Sequence, residues 1–429
     1  MKIESLEKSK IYTVILYIIL FFYIYSIEFN GVPLGLGTRV FIGFLGFIYF
    51  SIHLFLKNIN FKFQKDYILI ISTLFFISVI STISVLLNKT YDIEFTIKYP
   101  ISIFIILFAS YFVKKMIQLK FKEVEIQHII NLIINVVIIQ ILIAILMFSI
   151  PPFRDFLNSI QINSHYEKTV LQESQNFRLN GFGSRFFGAG ILNGFALILI
   201  ASLLKFHKQE TKVLRLSLSY LFIFAFGMMM ARTTIIGALL SLILLILPKK
   251  SISLSQIKKH IKFSFYITIL PISFILIIII FFPGIKQNLT NIFKYGFEMF
   301  FNYFSSNSFE SESTNKMMEM YIWPTSLKTY IIGDGLFTDQ ITKKYYMDTD
   351  IGYLRLIYYF GVIGMMSYFA FQSVLINSIY KLNRGYKYTF IIIFIYLIIL
   401  NFKGFTDCFY ICILFLISNS SFKKNRLII

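Results

Sequence analysis

The chain has 429 residues, of which 57% are hydrophobic and only 14% are charged, and its formal net charge is +20 at pH 7. Its mean hydropathy is +0.73, whereas about a quarter of the residues of a typical soluble domain are charged. The composition excludes an ordinary soluble protein. It indicates an all-α polytopic membrane protein, because long apolar runs alternate with short basic stretches.

Twelve apolar segments predict transmembrane helices, since a bilayer core needs about 20 apolar residues per helix. The segments are residues 11–27, 40–56, 67–87, 100–113, 126–150, 186–204, 213–230, 233–247, 263–282, 353–376, 388–402 and 407–419. The first segment follows three lysines, as in a signal peptide, but it is long and no small-residue cleavage site follows it. We therefore expect an uncleaved first helix and a single integral membrane domain over residues 1–429.

The basic residues predict the orientation of these helices. Placing both termini in the cytoplasm puts 25 of the 41 Lys and Arg residues on that side, as the positive-inside rule requires. The net charge then reflects membrane topology, and nucleic acid is not an expected partner.

The arginines depart from this trend. Six of the nine arginines fall on the outer side, whereas only ten of the 32 lysines do. These arginines are Arg39, Arg154, Arg178, Arg185, Arg232 and Arg355. A guanidinium group grips phosphate or carboxylate with two parallel hydrogen bonds, so this surplus predicts an anion at the outer face, with a chance distribution as the alternative.

Two long connections, residues 151–185 and 283–352, are predicted to be periplasmic loops. The second loop contains apolar residues at helical spacing, which predicts an amphipathic helix. These residues are Leu289, Ile292, Phe293, Phe297, Phe300 and Phe304. The helix either lies on the membrane surface or covers the transmembrane helices.

The first candidate binding segment is "NFRLNGFGSRFFGAG", residues 176–190. Arg178 and Arg185 offer positive charge, and glycines such as Gly181 and Gly183 allow backbone amides to approach a ligand. The alternative is a flexible loop whose glycines serve only close helix packing.

The second candidate is "MMMARTTIIG", residues 228–237. Residues 213–247 are too long for one helix, so a very tight turn is expected near Arg232. A charge at the centre of a membrane costs roughly 2.5–3.5 kcal/mol, and less near its edge. Arg232 is therefore expected to bind an anion, unless it only reaches toward lipid headgroups.

The third candidate is "DTDIGYLRLIYYFGVIG", residues 348–364. Asp348 and Asp350 precede the tenth apolar segment, and Arg355 lies about one helical turn inside it. The aspartates are candidates for a general base. Alternatively, either one caps the helix, or Arg355 forms a purely structural ion pair. The sequence contains neither a metal-ligand spacing nor a nucleotide-binding fingerprint.

These three segments, in this order, resemble the O-antigen polymerases (Wzy family), within the wider group that includes the O-antigen ligases. "FRLNGFG" is similar to the arginine and glycine stretch at the end of an outer loop. "ARTTIIG" is similar to the "SRT…G" hairpin, with Ala231 in place of serine. "DIGYLRLIYYFGVIG" resembles the stretch after the large loop, with Asp350 in the place of the ligases' histidine and Tyr353 in the "Y-L" position.

The resemblance implies a multi-span glycosyltransferase of GT-C-like architecture in the bacterial inner membrane, acting in lipopolysaccharide biosynthesis. Its donor and acceptor are oligosaccharides linked to undecaprenyl diphosphate, with no metal and no cofactor, and a chain-length regulator and a flippase are expected partners. Asp350 is the expected general base. The expected diphosphate-binding residues are Arg178, Arg232, Arg185 and Arg355, and the expected substrate-loop residues are Asp348, Tyr353, Gly181 and Gly183.

Three alternatives stay open from the sequence. A lipid-linked oligosaccharide flippase also has about twelve helices and a basic composition, but it should show internal repeats, and none is visible. A ligase would carry the histidine that Asp350 replaces. A polymerase of capsule or exopolysaccharide would share all the features above.

Overall fold

The computed structural model describes residues 2–33, 35–57, 65–121, 123–162, 171, 173–174, 177–206, 210–247, 286–306, 311–342 and 344–417. Within these residues the structure is all-helical: 79% of them are in helices and none lies in a β-strand. The predicted all-α fold class is therefore confirmed.

The α-helices of the described residues are α1 Lys2–Ile24, α2 Thr38–Lys57, α3 Lys65–Asn88, α4 Tyr99–Phe121, α5 Ile126–Ser149, α6 Pro151–Ile160, α7 Phe186–Phe206, α8 Glu210–Met230, α9 Thr234–Ile246, α10 Lys286–Gly296, α11 Glu298–Ser306, α12 Glu312–Glu319, α13 Leu327–Ile331, α14 Gly352–Leu382, α15 Lys387–Leu400 and α16 Phe409–Leu416. A π-helical turn, Glu94–Lys98, directly precedes α4.

Seven helices of the described part are long and apolar enough to cross a membrane, namely α2, α3, α4 with its π-helical turn, α5, α7, α8 and α14. Lys10–Ile24 and Thr234–Ile246 are shorter apolar helices. A polytopic membrane protein is thus supported, but the predicted count of twelve is not confirmed. The segment 263–282 lies outside the described residues, and α15 and α16 have only 14 and 8 residues, fewer than a span needs.

The chain divides into two compact units. Unit A comprises Leu20–Thr38 and Gln127–Ser311, and unit B comprises Met1–Ile19, Arg39–Ile126 and Glu312–Ile429. The absence of a separate soluble domain stays a prediction.

In unit A, α7 is the most deeply buried candidate membrane helix. Gly237 of α9 meets the backbone of Gly194 in α7, and a Cβ atom at this glycine would overlap that backbone. Small residues at such crossings let helices approach closely. The turn between α8 and α9 is only Ala231–Thr233, where Thr234 Oγ1 donates to the Gly227 carbonyl at 3.0 Å. The tight turn predicted at Arg232 is therefore confirmed.

In unit B, α14 packs against α3 and is broken at Phe360–Gly361, where Gly361 has a φ of +72°. The loop after α13 fills the break: the amides of Asp334 and Gly335 donate to the carbonyls of Tyr358 and Tyr359 at 2.6 and 3.0 Å. This contact lies about 10 Å along α14 from its first residue. Non-helical backbone is stable at such a depth only where the protein satisfies its polar groups.

Polar side chains of α3 and of the connection that follows it complete this arrangement. Ser84 Oγ donates to the Tyr359 carbonyl at 2.7 Å, and Asn88 Nδ2 and Thr90 Oγ1 donate to the carbonyls of Gly333 and Gly335 at 2.9 and 2.8 Å. The loop 333–337 is thereby fixed to the helices on both sides. It leads directly to the residues that surround Asp350 and Arg355.

Candidate functional site

Two of the four predicted anion-binding arginines, Arg178 and Arg232, lie close together, and both belong to unit A. The guanidinium carbon of Arg232 lies 4.2 Å from the centre of the Tyr295 ring, and that of Arg178 lies 5.4 Å from the same ring. We call Arg178, Arg232, Tyr295 and Glu298 the arginine–tyrosine cluster. Its two arginines are 54 positions apart in the sequence.

Arg178 is held at the carboxyl end of α8. Its Nε donates to the Met230 carbonyl at 2.7 Å, and the neighbouring Leu179 amide donates to the Met229 carbonyl at 3.2 Å. The last carbonyls of a helix lack partners within the helix, and a cation there is favourable. Burial lowers the pKa of Arg178, as does the nearby charge of Arg232. An arginine nevertheless stays charged in a protein.

Arg232 is held by the end of α10 and the first residue of α11. Its Nε donates to the Tyr295 carbonyl at 2.7 Å, and its Nη2 forms an ion pair with Glu298. Gly296 makes this possible, because a Cβ atom there would stand only 3.2 Å from the Met228 carbonyl. The glycine lets α10 approach the last turn of α8, which places Tyr295 beside Arg232.

The amphipathic segment predicted in the large loop forms two helices, α10 and α11, rather than one. Ile292 is 1% exposed, and Phe297 contacts Phe224 of α8 with ring centres 6.4 Å apart. Gly296 of α10 also lies against Met228 of α8, so α10 covers a candidate membrane helix, as the second of the two interpretations expected. In α11, by contrast, Phe304 is 83% exposed.

Arg185 is held by the glycine-rich loop and by α6. Its Nε donates to the Gly181 carbonyl at 3.2 Å, and its Nη2 donates to Asn158 Oδ1 at 2.8 Å. Gly183, with a φ of +83°, donates its amide to Gln161 Oε1 at 3.3 Å. These contacts brace the glycine-rich loop against the end of α6. Gly181 and Gly183 thus serve loop geometry here.

The second cluster lies in unit B, at the start of α14. Asp350 Oδ1 is 3.5 Å from Arg355 Nη1, and the side chains are 37% and 9% exposed, respectively. The Arg355 guanidinium carbon is 3.7 Å from the centre of the Phe337 ring and 4.2 Å from that of Tyr345. We call Asp350, Arg355, Phe337 and Tyr345 the aspartate–arginine cluster. Nε of Arg355 is buried and has no hydrogen-bond partner among the described residues.

The surroundings of Asp350 suit a proton acceptor. Burial raises the pKa of this carboxyl to about 6, although the charges of Arg355 and Lys403 lower it. Desolvation disfavours the charged carboxylate, and in this site it outweighs both cations. A base is most effective when its pKa is near the working pH.

Asp348 and Tyr353 have other surroundings. Asp348 is exposed and adopts a φ of +51° in a short turn. The helix cap of α14 is Ile351, which makes no side-chain capping bond. The interpretation of Asp348 or Asp350 as a helix cap is therefore wrong. Tyr353 belongs to α14, and its hydroxyl donates to the Ile398 carbonyl at 2.9 Å, so it is part of the helix packing.

Several residues of these surroundings were not predicted from the sequence, among them Phe337 and Tyr345, whose rings lie against Arg355. Tyr295 and Glu298 were hidden in the amphipathic pattern of the large loop, where the only local signal was the helix-ending Gly296. Asp92 lies in the short connection 89–98, and its carboxylate accepts the amides of Glu94 at 2.9 Å and Phe337 at 2.8 Å. Asp92 thereby fixes the backbone of the ring that stacks on Arg355.

The chain matches no protein-family model, no curated protein and no solved structure. Function is therefore inferred from the two clusters and from the motifs. Chemically, the arginine–tyrosine cluster can hold an anion between two guanidinium groups, and the aspartate–arginine cluster can accept a proton.

Proposed function

We propose that the chain is an O-antigen polymerase, a GT-C-like glycosyltransferase with about twelve transmembrane helices. It joins oligosaccharide repeat units carried on undecaprenyl diphosphate, at the periplasmic face of the bacterial inner membrane, in lipopolysaccharide biosynthesis. The observation that carries the proposal is the convergence of Arg178 and Arg232 on Tyr295. Two guanidinium groups at one place suit a diphosphate, which offers two phosphoryl groups to grip.

In the proposed reaction, a hydroxyl oxygen of the acceptor sugar attacks the anomeric carbon of the donor glycan. A carbon–oxygen bond forms there, and the bond from the anomeric carbon to the diphosphate oxygen breaks. Undecaprenyl diphosphate leaves with the electron pair of that bond. The hydroxyl proton passes to the carboxylate of Asp350, which is ionised above about pH 6.

The proposal assigns stabilisation of the leaving group to Arg178 and Arg232. Negative charge develops on the diphosphate as the bond breaks, and fixed cations lower the energy of that state more than the energy of the starting state. Arg355 is assigned a different part: it pairs with Asp350 and tunes the carboxylate. Arg185 is assigned to the loop that carries Arg178.

The charge distribution supports an orientation with both termini in the cytoplasm and the 151–185 and 283–352 connections outside. A cysteine introduced at position 310 should then react with a membrane-impermeant thiol reagent in whole cells, and one at position 255 should not. Both positions lie outside the described residues. The native Cys408 and Cys412 are buried, which keeps background labelling low, and the reverse pattern would exclude this orientation.

Gel analysis of surface polysaccharide after deletion of the gene tests the proposal against its rivals. Loss of a polymerase should leave a single repeat unit on the lipid core. Loss of a flippase should leave none, and loss of a ligase should leave polymer on the lipid carrier. If the deletion changes only capsule or exopolysaccharide, the proposed polymerase reaction stands, but its product is that polysaccharide and not O-antigen.

A further inference from the structure

Glu298 lies in the arginine–tyrosine cluster and touches the proposed diphosphate site, but the proposed reaction gives it no part. It is the first residue of α11 and forms the ion pair with Arg232. The Arg232 side chain is 10% exposed and that of Glu298 is 27% exposed. A pair so far removed from water is stronger than a surface ion pair.

The charges of the cluster are unequal. It contains two guanidinium groups and one carboxylate, and the carboxylate pairs with Arg232. Arg178 makes no ion pair within the part of the chain that the structure describes: its contacts there are the Met230 carbonyl and the rings of Phe186 and Tyr295. An arriving anion therefore meets one arginine ready to bind and a second arginine already neutralised by Glu298.

We propose that Glu298 is a specificity-determining residue, which makes this site select an isoprenoid diphosphate over an isoprenoid monophosphate. A single phosphate can bind Arg178 without displacing the glutamate. A diphosphate has a second phosphoryl group and more negative charge, so it can take Arg232 from Glu298 while it holds Arg178. Only the diphosphate can make this second contact. Glu298 competes for Arg232 and thereby disfavours the monophosphate, and such competition produces specificity.

The inference rests on the proposed function, since it assumes that the arginine–tyrosine cluster binds the lipid diphosphate. It adds that the monophosphate, which has one phosphoryl group fewer, binds Arg178 alone and is weakened by repulsion from the Glu298 carboxylate, because it does not take Arg232 from that carboxylate. In Glu298→Gln this repulsion is lost and Arg232 is open to either ligand. The discrimination between the two ligands should then shrink.

The test measures binding to the full-length protein in detergent, by isothermal titration calorimetry. The probes are farnesyl diphosphate and farnesyl monophosphate, with inorganic pyrophosphate to separate headgroup binding from binding of the lipid tail. The variants are Glu298→Gln, Arg232→Lys and a matched control, Asp66→Asn. Asp66 also pairs with a cation, Lys381 at 3.0 Å, but in unit B, so the control makes the same charge change elsewhere.

We expect Glu298→Gln to bind the monophosphate about 10-fold more tightly than the wild type does, and to bind the diphosphate with a smaller gain. Asp66→Asn should keep the wild-type ratio of the two affinities. If the ratio of the two affinities is unchanged in Glu298→Gln while Arg232→Lys still weakens diphosphate binding, the proposed role of Glu298 is overturned and the proposed diphosphate site stands. Diphosphate binding that is insensitive to Arg232→Lys overturns the proposed diphosphate site itself.

Discussion

Arg232 and Arg355 both carry a positive charge into largely apolar surroundings, yet the chain accommodates them differently. Arg232 is met by backbone and carboxylate: the Tyr295 carbonyl, the Glu298 side chain and one aromatic ring. Arg355 lies between two aromatic rings and keeps a longer contact of 3.5 Å with Asp350. The first arginine is neutralised, and the second is enclosed.

This difference separates two kinds of chemistry. An arginine that shares its site with a second arginine and with a displaceable carboxylate is suited to exchange one anion for another. An arginine enclosed by rings leaves its aspartate partner poorly solvated, and the pKa of Asp350 is raised to about 6 despite the pairing. We therefore expect substitutions in the two clusters to affect different steps: binding of the diphosphate and its stabilisation as it leaves in unit A, and proton transfer in unit B.

The largest effect is expected from Asp350→Asn. The substitution is nearly isosteric and removes the proton acceptor, so the polymerisation rate should fall ~10²–10⁴-fold, the usual contribution of a general base. The measurement is polysaccharide length on gels in a deletion strain that expresses the variant, with protein level checked in the membrane fraction.

Asp348→Asn is the matched control for this variant, because Asp348 is exposed and lies two residues earlier. It should support polymer of normal length. Loss in Asp348→Asn together with full-length polymer in Asp350→Asn would move the base to Asp348. Normal polymer from both variants would leave the pair of Asp350 and Arg355 with a structural role only.

The next largest effect is expected from Arg232→Lys and Arg178→Lys. Lysine keeps the charge but loses the planar fork, and removal of one stabilising donor from a transition state costs about 10² in rate. The control is Arg215→Lys, since Arg215 lies in α8, is exposed, and donates to the Asn135 amide oxygen at 3.3 Å. Normal polymerisation by both cluster variants would place the diphosphate elsewhere.

The convergence of these two arginines shows what the sequence could and could not predict. Residues 213–247 are too long for one helix and leave room only for a tight turn, which predicts that Arg232 lies in that turn. The surplus of outer arginines includes Arg178, so both arginines were predicted members of an anion site. Glu298 was not predictable, because its position depends on the break between α10 and α11 beside Gly296. Periodicity reports which face of a helix is apolar, but it does not report where a helix ends.

The break in α14 was hidden for a related reason. The apolar pattern continues through Phe360 and Gly361 without interruption, and only the packing of the 333–335 loop requires the positive φ of Gly361. Asp92 was overlooked because its partners, Phe337 and Thr338, are 245 and 246 positions away. Contacts at such separation leave no local signal in a single sequence.

A smaller effect is expected from Asp92→Asn. Its carboxylate accepts three backbone amides, those of Glu94, Phe337 and Thr338, and an asparagine can accept at one oxygen only. Loss of an acceptor loosens the Phe337 ring against Arg355, and we expect a roughly 10-fold loss of rate, in line with one or two hydrogen bonds.

The measurement that separates this role from mere destabilisation is the pH profile of the rate. In Asp92→Asn a displaced ring admits water to Asp350, so the apparent pKa of the profile should fall below about 6. Asp334→Asn is the control, because Asp334 lies in the same loop and accepts from Thr329 and Tyr346, whereas the Phe337 amide donates to Asp92. A rate loss with an unchanged profile would make Asp92 a structural residue.

The smallest effect is expected from Lys403, which lowers the pKa of Asp350 without being the proposed base. Asp350 must be ionised to accept a proton, so the wild-type rate should rise as the pH increases from about 5 to 7. Lys403→Gln removes a charge that favours the carboxylate, so the pKa of Asp350 should increase and the whole profile should move to higher pH. At neutral pH the rate loss should be less than about 10-fold.

The measurement is the initial rate of polymer formation in membranes supplied with lipid-linked repeat units, over a pH series. Lys381→Gln, which removes a charge from the pair with Asp66 in the same unit, should leave the profile in place. An unchanged profile in Lys403→Gln would show that the group whose ionisation limits the rate does not lie near Lys403.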